Sequence, residues 1–318
     1  MKTINEKNVT IFGTGYMGSE YAKACKKLGL ENVEFVCRHK ESAESFQRKF
    51  GYKTISGGLS KYIDAGASGD LAVIATPVEQ LTEGLKKVIT SDFCHILVEK
   101  PVALDSAEIN QILNLPNSNK VKVAYNRVNY PSVRKLITLA ESDGGITSAS
   151  FEITEWSHKI DENKFSPEVL KKWGIANTSH VLSIIQQCMG TLSVENAIQA
   201  DSLSWHPSGA VFCGSGRGKS GAPFSYFGNW KSAGRWGCQV HTERGCYRLI
   251  PLEELYFCKK GTIKWEKIEI DSSYTGVKDG VCEQLLAALG LNTQFRCPNL
   301  AFAASLTRAS EKIFGYSV

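Results

Sequence analysis

The first 125 residues alternate short apolar segments with segments whose apolar residues recur every three or four positions. The apolar segments are predicted strands and span residues 9–12, 33–37, 71–75, 95–98 and 121–125. The segments between them suit crossover helices and span residues 16–28, 41–50, 78–89 and 105–113. Strands that are apolar on both faces and separated by helices form parallel, doubly wound sheets. The alternation therefore predicts an α/β domain over residues 1–125.

The pattern changes after residue 125, where segments with a two-residue apolar alternation follow one another across glycine-rich turns. These predicted strands span residues 148–156, 194–204, 210–213, 224–230, 236–241 and 246–250. Helical spacing occurs in residues 131–141, 178–189, 280–289 and 300–314. Short turns between neighbouring strands favour antiparallel pairing. Residues 126–318 are therefore predicted to form an α+β domain with a large, open, mainly antiparallel sheet.

Composition excludes several other classes of protein. With 42% hydrophobic and 22% charged residues the chain is globular, and a net charge of +5 is too small to indicate nucleic-acid binding. The ten cysteines contain no Cys-x-x-Cys pair, and the six histidines form no pattern typical of a metal site. No apolar run is long enough for a membrane span or a signal peptide. We therefore expect a cytoplasmic protein without a metal, a nucleic-acid partner or a membrane partner.

A G-x-G-x-x-G motif follows the first predicted strand and opens the first predicted helix. It consists of Gly13, Thr14, Gly15, Tyr16, Met17 and Gly18. In this context the first glycine permits a tight turn, the second lets the backbone approach a pyrophosphate, and the third lets the helix pack closely. The N–H groups at the helix start then favour an anion. The motif predicts a dinucleotide site, and a plain strand-to-helix turn is the alternative.

The end of the second predicted strand is basic. Domains that bind NAD usually carry an acid here, which hydrogen-bonds the ribose. In this chain Cys37 is followed by Arg38 and His39. A guanidinium pairs well with a 2′-phosphate, which an acid would repel. We therefore predict NADP rather than NAD, bound by Arg38 and His39, with a solvated basic loop as the alternative.

Two more motifs end predicted strands, where open α/β sheets bind ligands. The first contains Thr76 and Pro77, and the second contains Glu99 and Lys100 followed by a proline. We take Thr76, Pro77 and Glu99 as candidate cofactor-binding residues. The proline constrains Lys100 towards an extended conformation and permits a cis bond. Lys100 is then predicted to lie in the ligand crevice, and a surface lysine is the alternative.

These motifs, together with residues 125–134 and 177–182, resemble the glucose–fructose oxidoreductase, inositol dehydrogenase and rhizopine-catabolism (Gfo/Idh/MocA) family. The resemblance implies a Rossmann domain followed by an α/β domain whose open sheet often forms an oligomer interface. It also implies hydride transfer between a nicotinamide and a sugar-like polyol carbon, with Lys100 and His180 as catalytic residues. To these we add three candidate substrate-binding residues, which are Asn126, Arg127 and Asn177.

Two positions depart from the family pattern. Many family enzymes place Asp or Asn four residues before the catalytic histidine, and this chain has Ala176 at that position. Many also have a histidine at the position that Leu81 occupies here. Ala176 cannot hydrogen-bond the imidazole, so another group must set its tautomer. Both departures favour a rival hypothesis, a dinucleotide-binding sensor without turnover. His180 also has a structural alternative, because apolar residues follow it at helical spacing.

Aromatic residues accompany Lys231 and Arg235 in residues 224–237. Aromatic side chains on an open sheet are typical of oligomer interfaces, whereas arginine beside aromatic rings suits a carboxylated or phosphorylated sugar. We therefore predict a homo-oligomer, a dimer or tetramer, and take Lys231 and Arg235 as candidate substrate-binding residues. Residues 214–220 imitate the end of a phosphate-binding loop but lack its first glycine, so we expect a flexible loop there.

The sequence thus predicts an NADP-dependent oxidoreductase acting on a sugar or sugar derivative, with nucleotide-linked and acidic sugars both open. We assign general acid–base catalysis to His180, because histidine titrates near neutral pH, and orientation of the substrate oxygen to Lys100. Reduction of a non-sugar carbonyl or imine would use the same Lys100 and stays a third hypothesis.

Overall fold

The computed structural model describes residues 3–271 and 274–316. They divide into two compact units, each assembled from several stretches of the chain. The first unit contains residues 3–103, 108–129 and 274–303, and the second contains residues 104–107, 130–271 and 304–316. This division differs from the predicted boundary between residues 125 and 126. The physical reason is that the late helix Val281–Ala288 buries its apolar side chains in the core of the first unit.

A six-stranded parallel sheet forms the centre of the first unit. Its strands are β1 (Val9–Phe12), β2 (Val33–Cys37), β3 (Lys53–Ser56), β4 (Ser68–Ile74), β5 (Asp92–Glu99) and β6 (Val121–Ala124). Their order is β3-β2-β1-β4-β5-β6, and every neighbouring pair is parallel. The predicted doubly wound parallel sheet is therefore confirmed. The sequence pattern missed β3, because no residue of this edge strand is fully buried.

Eight of the ten α-helices of the described residues lie where the periodicity predicts them, and the short helices over residues 58–64 and 167–171 were not predicted. The α-helices of the described residues are α1 (Tyr16–Leu28), α2 (Lys40–Phe50), α3 (Gly58–Asp64), α4 (Val78–Val88), α5 (Ser106–Leu113), α6 (Pro131–Ser142), α7 (Pro167–Lys171), α8 (Ser179–Met189), α9 (Val281–Ala288) and α10 (Leu300–Phe314). A glycine in the left-handed conformation follows each of α1 and α2, namely Gly29 and Gly51. Each helix also has two basic residues in its last turn. Glycine tolerates this conformation and the cations favour the helix C-terminus. The first helix therefore ends where the sequence predicts.

An eight-stranded sheet forms the centre of the second unit. Its strands are β7 (Ser148–Glu152), β8 (Ser193–Ala200), β9 (Val211–Arg217), β10 (Pro223–Asn229), β11 (Gly237–His241), β12 (Gly245–Leu249), β13 (Leu255–Lys259) and β14 (Glu266–Ile268). The order is β14-β13-β12-β11-β7-β10-β9-β8, and only the pairing of β7 with β10 is parallel. The predicted large, mainly antiparallel sheet is confirmed, although the pattern missed β13 and β14.

The prediction of a flexible loop over residues 214–220 is wrong for residues 214–217, because β9 continues to Arg217. Its glycines serve close packing between strands. A Cβ at Gly214 would overlap the Tyr226 side chain, and a Cβ at Gly216 would overlap Phe224. Glycine in a strand often marks such a close approach.

One face of the second sheet carries exposed apolar side chains. Ile198 on β8 and Phe227 on β10 are 62% and 51% exposed. Both residues pair with Cys213 on the intervening β9, so they lie on the same face of the sheet. An apolar row therefore crosses three neighbouring strands.

The described residues contain no candidate membrane-spanning helix, no candidate metal cluster and no disulfide. No described helix is long and apolar enough to cross a membrane. Nor does the described part of the chain gather three His, Cys, Asp or Glu side chains that could hold a metal ion. The ten cysteines all carry free thiols.

Candidate functional site

The glycine motif forms the turn between β1 and α1, and its three glycines have different environments. Gly13 has a φ of +121°, and a Cβ there would overlap the Ala75 carbonyl oxygen. A Cβ at Gly18 would overlap the Gly13 carbonyl oxygen, so this glycine lets α1 start close to β1. Around Gly15, by contrast, a Cβ would have no atom within 4 Å. The turn therefore presents open backbone at Gly15.

The ends of β2, β1 and β4 lie side by side. In the parallel register Phe12 lies opposite both Val36 and Ile74. The Gly13 N–H donates a hydrogen bond to the Val36 oxygen at 2.9 Å. On the other side, the Ala75 N–H donates to the Phe12 oxygen at 2.8 Å. From β1 the chain runs outwards to β2 and β3 on one side and then returns to β4 on the other side. The strand order therefore reverses between β1 and β4, and open α/β sheets bind ligands at such a switch point.

Thr76 lies next to the glycine turn, with its backbone nitrogen 3.3 Å from the position of a Cβ on Gly13. Its Oγ1 is buried and has no hydrogen-bond partner among the described residues. A buried hydroxyl without a partner costs free energy, and a ligand atom would satisfy it. Helix α1 also begins here, at the exposed Tyr16, and its first N–H groups have no partner within the helix. The open turn and the Thr76 hydroxyl therefore fit a bound dinucleotide.

Arg38 and His39 follow β2 and are exposed. The Arg38 Cγ lies 3.6 Å from the position of a Cβ on Gly58, so the stem of this side chain covers the start of α3. The Cys37 thiol donates to the His39 carbonyl oxygen at 3.4 Å. The end of β2 therefore carries the guanidinium of Arg38, and no carboxylate follows the strand before Glu41.

Glu99 ends β5 and is buried within a hydrogen-bonded chain. The Tyr21 hydroxyl donates to Glu99 Oε1 at 2.7 Å, and Gln284 Nε2 donates to that hydroxyl at 2.8 Å. Burial raises the pKa of Glu99, while the Tyr21 hydrogen bond and the charges of Lys100 and Lys278 oppose the shift. Lys100 itself is half-buried, and its peptide bond to the next residue is cis. Glu99 therefore anchors the end of β5 to α1 and α9.

Asn126 and Arg127 follow β6 in the first unit. Asn126 is buried, and its side-chain amide donates to the Asp279 carbonyl oxygen at 2.8 Å. This bond fixes a late turn of the chain, which carries Lys278, beside the end of β6. Burial lowers the pKa of Lys278, whose electrostatic neighbours are Glu99, Arg127 and Glu20. The sequence motifs gave no signal for Lys278, because it lies far along the chain from every strand of this sheet.

In the second unit His180 lies in the first turn of α8, directly after the π-helical turn Gly174–Thr178. Such turns often occur at functional sites. The imidazole is 7% exposed, and its ring centroid lies 5.8 Å from that of Trp236. Gly174 has no room for a Cβ against Phe314, and its N–H donates to the Tyr316 hydroxyl at 2.8 Å. The position of His180 therefore depends on packing at the far end of the chain.

A buried carboxylate, Glu155, holds the residues just before His180. It accepts hydrogen bonds from Asn177 Nδ2 at 3.0 Å and from Thr178 Oγ1 at 2.6 Å. Glu155 lies inside the predicted strand over residues 148–156, so the sequence pattern gives no sign of its role. The strand stops at Glu152, and the irregular chain that follows buries residues 153–155 together. Glu155 therefore supplies a carboxylate beside the start of α8.

Arg235 lies between two indole rings. Its guanidinium carbon is 4.2 Å from the Trp236 ring centroid and 4.9 Å from that of Trp156. Its Nη1 is 3.3 Å from a carboxylate oxygen of Glu155. Guanidinium groups over indole faces are stabilised by cation–π attraction. The structure thus joins two predicted substrate residues, Asn177 and Arg235, through Glu155.

Three other positions that the sequence singled out add no polar side chain to the cluster around Glu155. Lys231 is exposed and pairs with Asp201 at 2.8 Å. Leu81 is 1% exposed, so the position where family enzymes often have a histidine is occupied by a packed apolar side chain. Ala176 is also buried and cannot contribute a polar side chain.

The N-terminal part of the first unit matches a protein-family model. Residues 7–127 match the model of the Gfo/Idh/MocA family, which is described as an oxidoreductase family with an NAD-binding Rossmann fold. The match includes the glycine turn, Arg38, Thr76 and Lys100, so the predicted resemblance is confirmed there. No curated protein sequence matches the chain.

Solved structures with the same fold cover both units. An oxidoreductase from Thermotoga maritima is 15% identical, with a TM-score of 0.77 over 97% of this chain and 95% of its own. A levoglucosan dehydrogenase in complex with NADH and levoglucosan is 18% identical, with a TM-score of 0.75 over 96% and 95% of the two chains. The UDP-N-acetylglucosamine 3-dehydrogenase of Acidithiobacillus ferrooxidans is 11% identical, with a TM-score of 0.74 over 96% of each chain. The TM-scores and coverages show that these proteins share the fold along nearly the whole chain.

Proposed function

We propose that the protein is an NADP-dependent oxidoreductase that transfers a hydride between a nicotinamide and a carbon of a sugar or sugar derivative. The observation that carries this proposal is the open glycine turn at the switch point of a sheet that matches an NAD-binding oxidoreductase family. Two proteins of the same fold are named as dehydrogenases of levoglucosan and of UDP-N-acetylglucosamine. Their names support a sugar-like substrate here.

The residues of the first unit would hold the dinucleotide in distinct places. The backbone at Gly15 and Tyr16 suits its phosphates, and the Thr76 hydroxyl supplies one more polar contact. Arg38 supports the choice of NADP, because its guanidinium can pair with a 2′-phosphate. When bound, the nicotinamide supplies or accepts the hydride. His39 and Pro77 remain candidate contacts on the same strand ends.

Two residues are proposed to handle the proton. When hydride leaves a carbinol carbon, the hydroxyl proton must go to a positioned base. We assign this exchange to His180 and assign orientation of the substrate oxygen to Lys100. Glu155 supports the role of His180 by holding Asn177 and Thr178, which fixes the start of α8. Ala176 itself offers the imidazole no polar side chain.

Arg235 supports a hydroxyl-rich or acidic sugar as the substrate. Its side chain is 41% exposed, so its remaining N–H groups can donate to a ligand, and Trp156 beside it is 40% exposed. Asn177 joins Arg235 through Glu155 and is retained as a substrate-binding candidate. Asn126, Arg127 and Lys231 also stay predictions, although Asn126 already donates to Asp279.

We also propose that copies of this chain associate through the exposed face of the second sheet. The row containing Ile198 and Phe227 is apolar and exposed, as interface cores are before assembly. We expect a dimer or tetramer by sedimentation at micromolar concentration, and Phe227→Glu should shift it towards the monomer. A monomeric wild-type protein would remove this proposal.

The proposed activity is tested with purified protein, NADP or NADPH, and a panel of neutral, acidic and nucleotide-linked sugars. We expect a change of absorbance at 340 nm with at least one sugar or keto-sugar, and a change slower by about 10²- to 10⁴-fold with His180→Ala under the same conditions. Parallel titrations compare NADP with NAD. A protein that binds neither dinucleotide would contradict the proposal entirely.

The second candidate function is a dinucleotide-binding sensor without turnover. It is favoured by Ala176 and by the packed Leu81, which replace two polar positions of many family enzymes. Tight dinucleotide binding without turnover of any sugar, polyol or keto-sugar would support the sensor.

A further inference from the structure

Lys278 lies beside the glycine turn although it follows β6 by more than a hundred residues. Its Nζ is 3.5 Å from the Met17 sulfur and 5.0 Å from the centroid of the Tyr16 ring. These two residues separate the second and third glycines of the motif and begin α1. The ammonium is therefore next to the backbone where the phosphates of a dinucleotide are expected.

Two hydrogen bonds and one close backbone approach hold the turn that carries Lys278 in this place. Its backbone N–H donates to Glu20 Oε2 on α1 at 3.2 Å. The Asn126 amide donates to the carbonyl oxygen of Asp279, the next residue. The following Gly280 has a φ of +80°, and a Cβ there would overlap the Asn126 carbonyl oxygen. The turn that carries Lys278 is therefore fixed from both α1 and the end of β6.

The ammonium keeps capacity to bind an anion. Among the described residues its hydrogen bond goes to a thioether sulfur, which is a weak acceptor, whereas an ammonium has three donors. The side chain is half-buried, so a charge brought close to it would be weakly screened. Lys100 and Arg127 add positive charge in the same region, as their influence on Glu99 and Lys278 shows. The carboxylates of Glu20 and Glu99 offset only part of this positive charge, and a bound diphosphate would offset the remainder.

We propose that Lys278 is a cofactor-binding residue whose ammonium binds the diphosphate of the dinucleotide at the start of α1. This inference rests on the proposed function and adds a residue outside the glycine motif to it. Arg38 is placed to distinguish NADP from NAD, whereas Lys278 is placed to bind the group that both share. The two residues therefore have separable effects on affinity.

The test measures the affinities for NADPH and NADH by fluorescence titration of the wild type and of matched variants. Lys278→Gln should weaken both affinities by a similar factor of about 10 to 100, because a charge-assisted hydrogen bond is lost. Lys278→Arg should keep much of the affinity because it keeps the charge. Lys27→Gln, an exposed change in the last turn of α1, is the control and should have no effect.

A purely structural role for Lys278, as a counter-charge to Glu20 and Glu99, makes a different prediction. Lys278→Gln would then lower the unfolding temperature, while the folded variant would bind both dinucleotides as the wild type does. That result, or a loss confined to NADPH, would overturn the proposal. Failure of the wild type to bind either dinucleotide would instead reject the proposed function.

A second experiment uses the wild-type chain and so does not depend on how the variants fold. Lysines are acylated with and without ADP-ribose, which contains the diphosphate, and modified sites are quantified by mass spectrometry. We expect ADP-ribose to protect Lys278 several-fold and to leave Lys27 unprotected. Labelling of Lys278 that ADP-ribose does not change, or no labelling in its absence, would contradict the proposal.

Discussion

The glycine turn of the first unit and the cluster around His180 in the second unit are built in opposite ways. The turn uses backbone atoms from six consecutive residues, and its conformation follows from the glycines themselves. The cluster uses side chains from three separate segments, with Glu155 joining Asn177, Thr178 and Arg235. A region built from backbone is encoded locally, whereas a region built from side-chain contacts depends on the whole unit.

The electrostatics of the two regions differ as well. Cations dominate the first region, where Lys100 and Lys278 lie near the buried Glu99. In the second region the buried carboxylate of Glu155 is matched by Arg235 and by neutral donors. The first region is therefore suited to hold an anionic cofactor, and the second is suited to orient hydroxyl groups.

The largest expected effect comes from removing one proposed proton-handling group in each region. His180→Ala and Lys100→Ala should each lower turnover by about 10²- to 10⁴-fold, the usual contribution of general acid–base catalysis. NADP affinity, measured by titration, should stay nearly unchanged in His180→Ala and should fall much less than turnover in Lys100→Ala, because Lys100 adds positive charge near the proposed cofactor site. His158→Ala, an exposed change in the second unit, is the control. Wild-type turnover in either variant would remove the role of that residue.

The next prediction concerns the buried His206, and it tests whether the region around His180 depends on contacts with residues that are distant in the chain. His206 is buried, with its Nδ1 2.7 Å from the Gly209 oxygen and its Nε2 2.7 Å from the Tyr316 hydroxyl, which in turn accepts from Gly174. The carbonyl can only accept, so Nδ1 donates and the neutral imidazole accepts from Tyr316. Burial lowers the pKa of His206 to about 4.

Because the unfolded chain protonates this histidine near pH 6.5, the free energy of unfolding should fall as the pH drops from 6.5 towards 4. Between pH 7 and pH 5 the loss should be about 2 kcal/mol, measured by urea unfolding. His206→Phe should lose this part of the pH dependence, whereas the exposed change His158→Gln should retain it. An identical pH dependence in wild type and His206→Phe would contradict the assignment.

Cofactor choice gives a smaller effect, confined to the first region. NADP should bind about 10- to 100-fold more tightly than NAD, because a bidentate, charge-assisted pair contributes about 1.5–3 kcal/mol. Arg38→Ala should abolish the preference by weakening NADP binding alone. The exposed Arg48 on α2 provides a matched control, since Arg48→Ala should leave both affinities unchanged. Equal wild-type affinities would disprove the cofactor assignment.

The smallest expected effect is a difference between two glycines of the turn, Gly15 and Gly18, when each is replaced by alanine. Gly15→Ala should change the free energy of unfolding by less than about 0.5 kcal/mol, because its Cβ would enter open space. It should nevertheless weaken dinucleotide binding, since that space is where we expect the ligand. Gly18→Ala is the contrasting variant and should cost about 1–3 kcal/mol of stability through overpacking. Unchanged dinucleotide affinity in Gly15→Ala would place the ligand elsewhere.

The sequence by itself determined the parts of this protein that depend on short-range patterns. Alternating apolar and helical periodicity located β1, β2 and α1, because buried strands and amphipathic helices impose different spacings. The glycine motif was recognisable because each glycine answers a steric requirement of neighbouring backbone. Edge strands such as β3 were missed, because a strand that is only partly buried needs no regular apolar pattern.

Only the tertiary structure decided which distant residues complete the two regions. Glu155 became visible when β7 stopped at Glu152 and the following chain was buried beside α8. Lys278 joined the glycine turn because α9 packs into the core of the first unit and carries the preceding turn with it. Neither position has a local signature, since a carboxylate or an ammonium gains its role from the partners that packing brings within hydrogen-bond distance.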